Sequence, residues 1–264
     1  MPNTGFRFQL GSFECLVVRD GSLLTPDGNM IDLLCLCIKT RTHTVLIDTG
    51  NGDVTSHTGQ LTRNLQAAGI PATEIDTIIL THGHPDHIGG IIGSDNQHVF
   101  SNARHYMLNK EWDYCTLAPD MLQVSVFMRQ HTIAAIKKNL IPLKSQINLL
   151  DKEGEVVPGI KFIQTPGHTP GHISLLVSSG LQSLLCLGDL IHDTAEFSKP
   201  DLYEDTDAES RLAHISRAKI LNEVLQPDTI VFASHFSFPG LGYIVKDGDA
   251  WQWQPVNISI GELL

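Results

Sequence analysis

Between residues 81 and 90 the chain reads THGHPDHIGG, with three histidines and an aspartate in six positions directly after the apolar run IDTIIL. Metal-competent side chains at the end of so apolar a strand restrict the chain to folds in which a buried strand delivers its C-terminal end to a site. In extended backbone, side chains at i and i+2 project the same way, so His82 and His84 reach one cation from one side. Pro85 suits the first turn of a helix, and Asp86 and His87 on that turn point elsewhere, toward a second cation. Gly89 and Gly90 remove bulk where helix and strand approach closely. A surface turn with coincidental histidines is the bland alternative, and the density of ligands at a buried strand end weighs against it.

Two ions need more ligands than this segment holds, and three later segments offer them. TPGHTPGHIS supplies His168 or His172, LLCLGDL supplies Asp189, and TIVFASHFSF supplies His235. The runs HISLLVSS and SLLCLGD, joined by the turn GLQ, predict a hairpin, which returns Asp189 to the start of its first strand. A carboxylate that closes a strand this apolar requires a cation or several donors beside it.

The rest of the chain narrows the partner. With 18 basic and 29 acidic residues the net charge is −11 and no basic cluster is present, which argues against nucleic acid or an anionic membrane and for a small molecule. The start MPNTGFRFQLG lacks the pattern of a signal peptide and no run reaches transmembrane length, so a cytoplasmic location is expected. Five cysteines without a CxxC spacing read as buried thiols.

Strands are predicted at FECLVVRDGSL, LLCLCIKT, TVLIDTG, IDTIILT, IKFIQT and TIVFASH, besides the hairpin, and a short helix at residues 59–70. A helix over 119–140 places Pro119 at its first turn and Leu122, Val126, Ile133, Ile136 and Leu140 inward. A second helix from Thr206 places Leu212, Ile215, Leu221 and Leu225 inward. Without an alternating strand–helix series across the chain, the pattern predicts an α/β layered domain, two β-sheets in a sandwich with helices outside.

Taken together, THGHPDHIGG, TPGHTPGH, GD at 188–189, the late His235 and LIDTG at 46–50 resemble, in order and spacing, the metallo-beta-lactamase superfamily over nearly the whole chain. The resemblance implies a four-layer αββα sandwich, one domain over 1–264 with a helical insertion at about 109–145. It implies that His82, His84 and His168 bind one metal, that Asp86, His87 and His235 bind another, and that Asp189 bridges them. His172 then takes a structural or hydrogen-bonding part, and Asp48 orients a metal-bound imidazole. Two divalent ions are implied, zinc first, with manganese, cobalt or iron as alternatives, and a bridging hydroxide as nucleophile. Redox di-iron members carry a glutamate where His84 stands, which disfavours that role.

The segments GQLTRNLQAAGI, GDLIH, SHFSFPGLGYI and WQWQPV look most like the branch of methyl parathion hydrolase-like enzymes and N-acyl homoserine lactone lactonases. That branch implies opening of a lactone or cleavage of a related ester, with organophosphate triesters as promiscuous substrates. A glyoxalase II-like thioesterase and an iron-dependent dioxygenase are the alternatives. Asp86 and His192 are the catalytic candidates, His192 standing where several lactonases hold a substrate-contacting tyrosine. Phe236, Phe238, Leu241 and Phe197, with Trp112 and Met128, are candidates for an apolar substrate pocket, and helix 119–140 for either a lid or a homodimer contact.

Overall fold

Alternation along the N-terminal strands builds the first layer boundary. In a computed structural model, which describes residues 4–24, 28, 30–52, 57–117, 126–198, 206–248 and 250–257, β1 (Gly5–Leu10), β2 (Phe13–Leu24), β3 (Met30–Lys39) and β4 (Thr44–Ile47) pair antiparallel in sequence order. Along β2, Cys15 and Val17 face one apolar cluster while Leu16 and Val18 face another, because successive side chains in a strand point to opposite faces.

From β4 onward the first sheet is parallel. The helix α1 (Leu61–Ala67) connects to β5 (Thr77–Ile79), α2 (Pro85–Ile88) precedes β6 (Arg104–Leu108), and α3 (Asn109–Leu117) and α4 (Val126–Ala135) precede β7 (Ile147–Leu150). Strands β4 to β7 lie side by side in parallel, completing a seven-stranded sheet in the order β1 to β7. Residues 44–150 therefore do alternate strand and helix, unlike the chain-wide expectation. The alternation is hard to read because β6 (RHYML) and β7 (INLL) are short and lack long apolar runs.

The second sheet holds β8 (Gly154–Val157), β9 (Ile160–Gln164), β10 (Ile173–Ser179), β11 (Gln182–Cys186), β12 (Ile230–Phe232), β13 (Leu241–Asp247) and β14 (Ala250–Pro255), in the order β14 to β8. Its pairs are antiparallel except for β11 with β12. The helices α5 (Ala195–Ser198) and α6 (Ser210–Lys219) lie between β11 and β12 in the chain.

Three apolar clusters separate four layers. Val17, Leu36, Val45 and Ile79 meet Phe162, Leu175, Leu184 and Phe232 between the sheets. Leu46 and Ile78 meet Leu61, Leu65, Ile136 and Leu140 under the first helical layer, and Leu185 and Val231 meet Phe197, Ile220 and Leu221 under the second. This is the four-layer αββα arrangement. Among the described residues no helix is long and apolar enough to cross a membrane. All five cysteines are free and buried, and burial pushes the Cys15 and Cys37 thiols up to about 12.

Two helices differ from their expected faces or limits. In α6, Ile215 is 53% exposed, while Ala213, Ser216 and Arg217 are buried and a π-helical turn carries Ile220 and Leu221 inward. The inward face is turned toward Arg217 because that guanidinium meets two buried carboxylates, Glu196 and Asp207. Of the helix expected over 119–140, Pro119 and Leu122 lie outside the described residues, as do the side chains of Val126 and Met128. Its described part, α4 and a π-helical turn at Ile136–Leu140, buries Ile136 and Leu140 as expected.

Candidate metal centre

Parallel neighbours end at the same edge of a sheet, so β4 and β5 release Asp48 and Thr81 side by side. The Asp48 carboxylate accepts the Thr81 N–H and hydroxyl at 2.8 Å each, and its Oδ2 lies 2.8 Å from His87 Nδ1. Close backbone approach brings α2 down onto this turn. A Cβ on Gly89 would lie 2.4 Å from the Asn51 backbone and one on Gly90 2.1 Å from the Thr49 carbonyl oxygen, so neither position admits a side chain.

The second sheet delivers the remaining side chains. Strands β10 and β11 form the expected hairpin, with Leu175 opposite Cys186, and the Asp189 N–H donates to His172 Nε2 at 3.0 Å. His172 Nδ1 lies 3.1 Å from the Thr165 carbonyl, so the ring is a neutral tautomer donating from Nδ1 and accepting at Nε2. Burial pushes its pKa down to about 3, in keeping with that state. His172 thus anchors the backbone of Asp189 from outside the ligand cluster. His235 follows β12, the parallel neighbour of β11, and its Nδ1 lies 3.2 Å from the Asp32 carbonyl.

Two groups of ligand atoms result, His82, His84, His168 and Asp189 in one and Asp86, His87 and His235 in the other, each within 4.8 Å of one another. Asp189 stands between them. Its Oδ2 lies 3.7 Å from His82 Nε2, 3.4 Å from His168 Nε2 and 3.1 Å from His235 Nε2, and its Oδ1 lies 3.1 Å from His87 Nε2. Asp86 Oδ2 completes the second group, 3.7 Å from His87 Nε2 and 3.6 Å from His235 Nε2.

The residues fit two cations. The Nε2 atoms of His82 and His87 and Oδ1 of Asp189 are buried without a well-formed hydrogen bond, the last two facing each other at 3.1 Å as an ion pair only, an arrangement that costs free energy unless a ligand meets them. Burial pushes His82, His84 and His168 below the usual imidazole value, His84 to about 4, which leaves their lone pairs available. At His87 and His235 burial is outweighed by Asp189 and the other nearby carboxylates, which raise both, His235 to about 9. The carboxylates that draw a proton there would also draw a cation.

Supporting residues include several with no motif to announce them. Glu111 on α3 is fully buried and accepts the Gly83 N–H at 2.9 Å, the Gly171 N–H at 2.9 Å and the Thr169 hydroxyl at 2.7 Å, tying the two ligand loops together. Asp207 Oδ1 lies 3.3 Å from His168 Nδ1. Sequence spacing does not separate a buried helical acid such as Glu111, or a loop acid such as Asp207, from a solvated one. His192 lies beside the ligand groups, its Nε2 3.5 Å from Asp189 Oδ2 and its ring stacked 5.9 Å from His235.

Of the four residues expected to line an apolar pocket, Phe197, Phe236 and Leu241 are buried and Phe238 is half-buried. Phe197 and Phe236 are buried under the second helical layer, where both rings meet Trp253 of β14, and Leu241, the first residue of β13, is buried between the sheets. Trp112 packs in the first helical layer. Phe238 lies in a loop fixed by its N–H to Asp32 Oδ2 at 2.8 Å and with Arg19 over its ring.

Residues 34–235 match the Metallo-beta-lactamase superfamily, and the chain belongs to it. An N-acyl homoserine lactonase of Bacillus cereus is 26% identical over 247 residues, covering 84% of this chain and 89% of that protein. Among solved structures, AidC, a dizinc quorum-quenching lactonase in complex with a product, is 27% identical at a TM-score of 0.83, over 97% of this chain and 99% of that one. The hydrolase AbOPH of the beta lactamase superfamily is 26% identical at a TM-score of 0.87, over 98% of this chain and 99% of that one.

Proposed function

We propose that this metal-dependent hydrolase opens lactone rings, with N-acyl homoserine lactones as the substrate class, at a centre of two divalent ions, zinc first. The observation that carries the reading is the pair of ligand groups meeting at Asp189, with orphaned nitrogens on both sides of it. The lactonase relatives supply the substrate class. His82, His84 and His168 would hold one ion and Asp86, His87 and His235 the other, with Asp189 shared. Bound there, two divalent ions supply Lewis acidity, polarising a carbonyl and making water nucleophilic at neutral pH.

The chain's own residues orient the reaction. Asp48 holds His87 and the Asp32 carbonyl holds His235, so neither ring swings as substrate enters. His192 is the only histidine beside both groups that is outside them and partly open, its side chain 20% exposed, among the described residues. From there its Nε2 donates a hydrogen bond to the ring oxygen as the ester bond breaks.

The test is a panel of N-hexanoyl homoserine lactone, a δ-lactone, a paraoxon-type triester, S-lactoylglutathione and nitrocefin, assayed after metal analysis. Two zinc-like ions per chain and the highest kcat/KM on the lactones are expected. A single iron, or strong thioester cleavage without lactone turnover, overturns the reading. His192→Phe should lower lactone kcat/KM by about a hundredfold, and an unchanged value removes His192 from the reaction.

A further inference from the structure

The largest fully buried side chain among the described residues is a cation that the reaction itself does not use. Arg217 is 1% exposed on α6, and its Nη2 lies 2.8 Å from Asp207 Oδ2 and 2.9 Å from Glu196 Oε2. Its Nε donates to the carbonyl of Leu190, the residue after Asp189, at 2.8 Å. Each carboxylate turns its other oxygen to the site. Asp207 Oδ1 meets His168 Nδ1, and Glu196 Oε1 accepts the N–H groups of His192 and Asp193 at 2.6 and 2.9 Å.

Burying three charges is poor stabilisation, since apolar side chains of the same volume usually do as well or better. The triad is arranged for geometry instead. It joins three segments of different origin: the loop bearing His168, the Asp189–His192 segment, and α6. The helix is also seated on the His168 loop directly, by Ser216 Oγ donating to the Pro166 carbonyl at 2.6 Å and the Ala208 N–H to the His168 carbonyl at 3.0 Å. A Cβ on Gly167 would fall 2.2 Å from Ala213 Cα, so the loop and α6 pack without a gap. With Asp207 fixed by Arg217, His168 donates from Nδ1 and presents its Nε2 lone pair to the ligand group.

We propose that Arg217 is a positioning residue for the first ligand group and for His192. It acts through Asp207 on His168 and through Glu196 and the Leu190 carbonyl on the Asp189–His192 segment. The proposal rests on the reading of these residues as a metal centre.

The test uses the full-length protein stripped of metal and titrated with cobalt(II), followed by visible absorption, with thermal unfolding of the metal-free form alongside. Wild type should take up two ions per chain; if it does not, the metal-centre reading falls and the proposal with it. Arg217→Lys keeps the charge and loses the fork that spans both carboxylates and the carbonyl. It should weaken the binding step of the first group by about tenfold or more and change that ion's absorption, with a smaller effect on the other step, which shares Asp189. Asp207→Asn should weaken the same step, and the double variant should fall short of the product of the two effects, because both act through one line of contacts. Two cobalt ions bound by Arg217→Lys with wild-type affinity and absorption overturn the proposal, whatever happens to its Tm, since Arg217 then serves the fold alone. If Arg217→Lys does not fold, Asp207→Asn decides: a weakened step supports the proposal and unaltered cobalt binding overturns it.

Discussion

The two ligand groups are supported in different ways. The group of Asp86, His87 and His235 rests on the ends of strands: Asp48 closes β4, Thr81 follows β5, and the Asp32 carbonyl belongs to β3. The group of His82, His84 and His168 depends on helices that lie outside the sheets. Asp207, just before α6, meets His168, and Glu111 on α3 joins the loop of Gly83 to that of Gly171. A sheet edge is fixed by a ladder of hydrogen bonds, whereas a docked helix moves with the side chains beneath it. Disturbances of the outer helices should therefore loosen the first group before the second.

The largest effect should erase this difference. Asp189→Asn removes the one carboxylate among the described residues that reaches both groups, and loss of both ions with more than about a hundredfold loss of activity is expected, beyond what an outer partner costs. Retention of two ions at wild-type affinity, read by elemental analysis and calorimetry, would refute the shared role. Asp48→Asn should separate the groups. An amide turns N–H toward the Thr81 N–H or toward His87 Nδ1, and one ion should bind about 10- to 100-fold more weakly while the other is held as before. Equal weakening of both, in stepwise calorimetric titration, would break the distinction between them.

How much of this the sequence announced follows the same division. Asp48 was readable because LIDTG puts a carboxylate at the end of an apolar strand, and His172 and Asp189 because a hairpin returns its ends together. Strand-borne features repeat with period two and end at turns, which local sequence displays. Glu111 and Asp207 reach the ligand loops across 28 to 60 residues, and Arg217 lies ten residues from Asp207 and 27 from Leu190. Nothing local marks them: Arg217 occupies a position that helical spacing alone gives to solvent, and Ile215 one that it gives to the core. The apolar residues near the ligands in sequence show the same limit, since whether Phe197, Phe236 and Leu241 join the cluster under the second helical layer or the one between the sheets is decided by packing across the chain.

A smaller effect should come from Glu111→Gln. The amide preserves shape, but its nitrogen cannot accept the Gly83 or the Gly171 N–H, leaving one buried donor without a partner. A cost of about 1–3 kcal/mol to the metal-free protein is expected, measured by denaturant unfolding, and the ion of the first group should be weakened in preference to the other. Weakening confined to the ion of Asp86, His87 and His235 would reverse the comparison.

The smallest expected effect tests the orientation on which the dependence on α6 stands. If apolar spacing set the helix face, Ile215 would be buried and its replacement by glutamate would cost several kcal/mol, about the range for core aliphatic truncation or worse. It is instead 53% exposed, on nearly the opposite face of the helix from the buried Arg217 two residues on. Ile215→Glu should therefore change stability by less than about 0.5 kcal/mol and leave both ions bound as in wild type. A large loss of stability would mean that α6 is turned the other way, with the guanidinium of Arg217 drawn out of its contacts with Asp207 and Glu196. The helix-borne half of the comparison would then fall, while the strand-borne half around Asp48 and His87 would stand.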